Sequence, residues 1–139
     1  MQPKIKVVPD SNVFIAAALS RSYCYDWLFG ASEPQATYIL YTSEAILNEV
    51  ERKLTNKFQF RRPEIVKYLT DLDAVLTKVR PSVEIKAVRD VDDNMVLECA
   101  VEAEAEVIIT FDKDLLTLKR YENIQIAHPG MVKYWFRRT

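Results

Sequence analysis

Asp10, Glu49, Asp93 and Asp112 are the residues of this chain best suited to chemistry. Ionised carboxylates only accept hydrogen bonds and repel one another, so several gathered in one place need a cation between them. Asp93 and Asp112 belong to one stretch, Asp92 to Asp114 (DDNMVLECAVEAEAEVIITFDKD). It reads as an acidic loop, an apolar helix, a short β-branched strand and a second acidic loop. If the helix doubles back along the strand, the start of the helix and the end of the strand meet, and so do the acidic loops. With oxygen ligands alone, such a cluster suits a hard dication, Mg²⁺ or Mn²⁺. A cation held this way keeps several waters. It can bind a phosphate oxygen and deliver water as the nucleophile, which is the logic of metal-assisted phosphodiester cleavage.

The other elements must carry Asp10 and Glu49 to the same place. Ile5 to Val8 is a short continuous apolar run, suited to a buried parallel strand, and it ends at Pro9-Asp10-Ser11-Asn12. Val13 to Leu19 begins a helix with Ser11 or Asn12 as cap, so Asp10 falls between a strand end and a helix start. Helix capping would by itself account for an aspartate there. Tyr23 to Gly30 has helical spacing of its aromatics, a pattern that usually marks core or partner surface. Tyr38 to Thr42 reads as a second strand, and Glu44 to Leu54 as a helix burying Ile46, Leu47, Val50 and Leu54, with Glu49 at the edge of that stripe.

Beyond it, Ile65, Leu69, Leu72, Leu76 and Val79 predict a helix from about Pro63 to Pro81. The alternation in Val83 to Val88 predicts a strand. Glu106 to Thr110 and Ile124 to Ala127 predict two more, and Pro129-Gly130 opens a terminal helix over MVKYWFRR. Strands alternating with helices predict one domain over 1–139, a three-layer α/β/α sandwich around a mostly parallel sheet of about five strands. In that fold Asp10 and Asp112 reach one sheet edge, Asp93 joins them from its helix, and Glu49 leans over from another. The reading assigns no lysine or histidine partner to these acids.

Composition removes several alternatives. The chain has 139 residues and a formal net charge of −1, so bulk charge announces no nucleic-acid partner. Any such contact must come from a local cluster, and Lys53, Lys57, Arg61 and Arg62, interleaved with Phe58 and Phe60, form one. Two distant cysteines and one histidine exclude a Cys/His zinc site and a disulfide framework. His128 lies directly before Pro129, and no serine elbow accompanies it, which argues against a Ser-His-Asp site. MQPKIKVV runs straight into a strand, and no apolar run is long enough for a bilayer, so a cytoplasmic protein is expected.

Ordered motifs carry a family resemblance. VVPDSNVFIAA, SEAILNEVERKL and DVDDNMVLECAVEAEAEVIITFDKDLL resemble the PIN-domain family, specifically the toxin components of prokaryotic toxin–antitoxin pairs. The resemblance implies a ribonuclease using Mg²⁺ or Mn²⁺, a homodimer, and an antitoxin that occupies the site. It places the metal ligands and catalytic acids on Asp10, Glu49, Asp93 and Asp112. Ser11, Asn12 and Thr110 would orient them, and Asp92 and Asp114 would assist. RNA would be the substrate, with its phosphates held by the basic cluster. An inactive PIN module that binds RNA or protein is the alternative. A phosphoryl-accepting receiver domain lacks its acidic pair, since Asp10 is followed by Ser11. Pro9 and Phe111 depart from the family pattern; a bulky Phe111 at the rim would narrow the entrance or stack on a base.

Overall fold

A computed structural model of the chain describes residues 3–132. Strand β1 (Ile5–Pro9) leads into α1 (Ser11–Leu19) and α2 (Tyr23–Gly30). Then follow β2 (Tyr38–Thr42), α3 (Glu44–Asn56), α4 (Arg62–Asp73) and β3 (Leu76–Lys78). The last part comprises α5 (Val91–Ala103), β4 (Val107–Ile109), α6 (Lys113–Leu118), β5 (Arg120–Tyr121), β6 (Ile124–Ala127) and a 3₁₀ turn over Pro129–Met131. The sheet has six strands in the order β3-β2-β1-β4-β6-β5, all pairs parallel except β5 with β6. Helices flank it to give the expected α/β/α architecture.

The apolar runs explain the centre. Val7, Val8, Leu40, Ile108 and Ile109 are fully buried, as continuous β-branched and leucine runs must be when helices cover the sheet. Helix α5 lies across β1, β2 and β4 and buries Val96, Leu97, Cys99 and Ala100. Both cysteines are buried and free. Pro9 costs β1 no bond to β4: strand alternation sends the next amide, that of Asp10, to the Ile109 carbonyl at 2.8 Å. Among the aromatics of α2, Trp27 is buried and stacks on Tyr38, and Phe29 meets Tyr25 and Tyr68, whereas Tyr23 is exposed.

Three expectations are corrected. The helix predicted to Pro81 ends at Asp73; the chain turns through Ala74 and Val75, and Leu76–Lys78 becomes β3. Leu72, Leu76 and Val79 do keep a helical spacing. The open edge of β2 nevertheless captures the segment, pairing Leu40 with Leu76 and Thr42 with Lys78. Val83 to Val88 forms no strand. With β3 already on that edge, α5 takes amides of this segment instead: Ile85 and Val88 donate to Glu98 and Asn94 at 2.8 and 3.0 Å. Finally, the loop expected after Thr110 instead forms α6 and β5. The terminal helix expected over MVKYWFRR falls almost wholly outside the described residues.

Candidate metal centre

Asp10 is at the carboxyl end of the central strand and caps α1, its Oδ1 accepting the Ser11 amide at 2.7 Å. Its Oδ2 accepts the Thr110 hydroxyl at 2.7 Å, and the same hydroxyl oxygen accepts the Asp112 amide at 2.9 Å. Thr110 therefore ties the first acidic position to the last. Asp10 is 4% exposed. Burial pushes its carboxyl up to about 6, against the pull of the Thr110 and Ser11 hydrogen bonds, and the charges of Glu49 and Asp112 add to the rise.

Asp93 sits in the first turn of α5, whose cap is Asp90, accepting the Asp92 amide at 2.8 Å. Asp93 is 5% exposed, and its Oδ2 has no hydrogen-bond partner among the described residues. Burial, then the charges of Asp112 and Asp10, push this carboxyl up to about 8. Asp112 caps α6, with Oδ1 accepting the amides of Asp114 and Leu115 at 2.9 and 3.1 Å. One carboxylate oxygen from each of Asp93, Asp112 and Asp114 lies within 4.8 Å of the others. A divalent cation fits this centre. The donors are all oxygen, one buried oxygen lacks a partner among the described residues, and a dication would offset the burial and the repulsion that raise Asp93 and Asp10.

The matching family model is that of the PIN domain, over residues 6–114, a span that holds every one of these acids. The chain belongs to the PIN-domain family. Members of this family are typically metal-dependent nucleases. The chain is also 35% identical over 136 residues to the uncharacterized protein MJ1680 of Methanocaldococcus jannaschii, covering 90% of this chain and 84% of that one.

Within the PIN centre, the four predicted acids are not equivalent. The charge of Asp112 acts on both Asp10 and Asp93, and that of Asp10 acts on Asp93. Glu49, buried in α3, acts on Asp10, but its Oε1 is 2.8 Å from the ammonium of Lys53. The expectation that no lysine partners these acids is thus corrected. The signal was present as an i,i+4 Glu–Lys pair on one helix face. Burial works against the charge of Lys53. The hydrogen bond that Lys53 donates to Glu49 and the charges of Glu49, Asp10 and Asp92 outweigh it and hold the ammonium above its usual range.

The flanking acids separate. Asp114 belongs to the carboxylate cluster, whereas Asp92 pairs with Arg52 at 3.5 Å. The basic group divides as well. Lys53 stands at the acidic centre, Arg62 bonds to Glu51, Arg61 lies 3.7 Å from Glu64, and Lys57 lies over the Phe58 ring. Ser11 contributes its backbone amide to Asp10, and Asn12 reaches across to accept the Phe111 amide at 3.3 Å. Asn94 follows Asp93 in the acidic motif. It clasps Val88 with both ends of its amide, at 3.0 and 2.7 Å, and so fixes the loop that leads into Asp93.

Proposed function

We propose that this PIN domain is a metal-dependent endoribonuclease that hydrolyses RNA phosphodiester bonds, and that it is the toxin of a toxin–antitoxin pair. The observation that carries the nuclease reading is the unpartnered Asp93 oxygen beside the carboxylates of Asp112 and Asp114. The ligands in this reading are Asp93, Asp112 and Asp10, with Asp114 alongside. Glu49 acts through Lys53 and Asp10. Magnesium or manganese bound there would offset charge on the phosphate and lower the pKa of a water, easing its deprotonation to the nucleophile.

The chain's own residues do the rest. Thr110 holds Asp10 and the backbone of Asp112 in one arrangement. Lys53, anchored by Glu49 and more than a third exposed along its side chain, offers an ammonium to a phosphate oxygen. Asn12 fixes the turn between Thr110 and Asp112. The wider setting, a cytoplasmic homodimer silenced by an antitoxin, rests on the motif resemblance. No described helix is long and apolar enough to cross a membrane.

The test is cleavage of single-stranded RNA with Mg²⁺ or Mn²⁺, comparing the native protein with Asp10→Asn. Metal-dependent cleavage by the native protein alone is expected. Equal activity of the two proteins, or none across several RNAs, rejects the enzyme and leaves a PIN module that only binds. Co-purification with the product of an adjacent small reading frame, and loss of cleavage on its addition, tests the toxin role.

A further inference from the structure

One aromatic residue stands in the chain between two residues of the acidic centre and has no part in the scheme above. Phe111 stands between Thr110, which holds Asp10, and Asp112. Its backbone is fixed by Asn12, and its ring is half-buried against the core. The ring meets the imidazole of His128 edge-on, with centroids 5.1 Å apart and planes at 90°. His128 is held in turn. Its Nδ1 accepts the Gly130 amide at 2.9 Å, which in the neutral ring leaves the proton on Nε2 as a donor. At Gly130 a Cβ would come within 3.2 Å of that same Nδ1, so glycine lets the backbone close on the ring. Because β6 runs parallel to β4, His128 and Phe111 leave the sheet at the same edge as Asp10.

We propose that the Phe111 ring, propped edge-on by His128, is the platform on which a nucleobase next to the cleaved phosphate stacks, and that it selects single-stranded RNA. This rests on reading the acidic centre as RNA-cleaving. A base inside a duplex already has neighbours on both faces, so only an unstacked base can use a ring at the rim of the site. An aromatic already packed against the core and against His128 keeps its orientation and loses little freedom when the base arrives. Packing alone would also place a phenylalanine here, but packing needs only apolar volume, which leucine supplies. A platform needs a ring.

The experiment follows from that difference. In an Asp10→Asn background, which prevents cleavage, single-stranded RNA carrying the fluorescent base 2-aminopurine is titrated with Phe111, Phe111→Tyr, Phe111→Trp and Phe111→Leu proteins. Duplex RNA of the same sequence is titrated in parallel. Thermal melting confirms that the leucine protein is folded. Quenching is expected with every ring and lost with leucine. Single-strand affinity should fall about tenfold in the leucine protein, with duplex affinity unchanged. If leucine binds and quenches like phenylalanine, the platform is rejected while the RNA reading stands. If none of the proteins binds RNA, the RNA reading fails and takes the platform with it.

Discussion

The hydroxyl of Thr110 lies 2.7 Å from Asp10 Oδ2, a bond between residues 100 positions apart that joins the ends of two neighbouring strands. Its oxygen is also the acceptor for the Asp112 amide. Thr110 is fully buried, so neither bond has a water substitute at hand. Thr110→Val should therefore destabilise the fold by about 1–3 kcal/mol, the cost of stranding buried polar groups. Metal affinity or cleavage should drop about 10- to 100-fold, as when a group that orients a ligand is removed. Thr110→Ser should restore most of both. Chemical denaturation and calorimetric Mn²⁺ titration measure the two effects separately.

Asp92 and Asp114 make a matched comparison. Asp114→Asn removes a member of the carboxylate cluster and should weaken Mn²⁺ binding measurably. Asp92→Asn breaks only a partly exposed pair with Arg52 and should change stability by about 0–1 kcal/mol, leaving metal affinity close to native. Equal effects of the two substitutions would contradict the assignment.

The raised carboxyls of Asp10 and Asp93 fix the sign of a pH effect. The folded, metal-free protein binds their protons more tightly than the unfolded chain does, so their contribution is fully present below about pH 4. It is lost as pH rises through about 6 and then about 8. In chelator, stability should decline across that window, and Asp93→Asn should flatten its upper part. Added Mn²⁺ should oppose the decline, since binding displaces the same protons. Melting temperatures between about pH 4 and pH 8, with and without Mn²⁺, check this; a profile unchanged in Asp93→Asn would refute it.

Lys53 offers another test. Lys53→Met leaves the buried Glu49 without its 2.8 Å partner and should cost about 1–3 kcal/mol of stability. A double-mutant cycle with Glu49→Gln should recover a favourable coupling between the two. If Lys53 also holds a phosphate, the cleavage rate of Lys53→Met should fall more than its Mn²⁺ affinity does.

Much of this was legible in the sequence because local patterns and global fold agree. Asp10, Asp93 and Asp112 each fall where a buried strand or helix terminates, and apolar runs mark those ends well. Legibility failed where a tertiary partner overrode a local pattern. Leu76 and Val79 continue the helical spacing of α4, yet the free edge of β2 offers backbone hydrogen bonds that a helix end does not. Val83 to Val88 alternates like a strand, but the side chains of Glu98 and Asn94 take the amides of Ile85 and Val88. The pairing of Arg62 with Glu51 depends on how α3 and α4 lie together, which spacing alone does not specify, whereas Arg61 and Glu64 form a local i,i+3 pair.

The strand order has a temporal consequence. β1 is made first and occupies the middle of the sheet, but its neighbour β4 arrives some hundred residues later. Pairing at such separation is slow and waits for the intervening chain. A growing polypeptide carries Asp10 and Glu49 long before Asp93, Thr110 and Asp112 exist to join them. The acidic centre is thus among the last features a newborn chain acquires, and a partial product of translation has none.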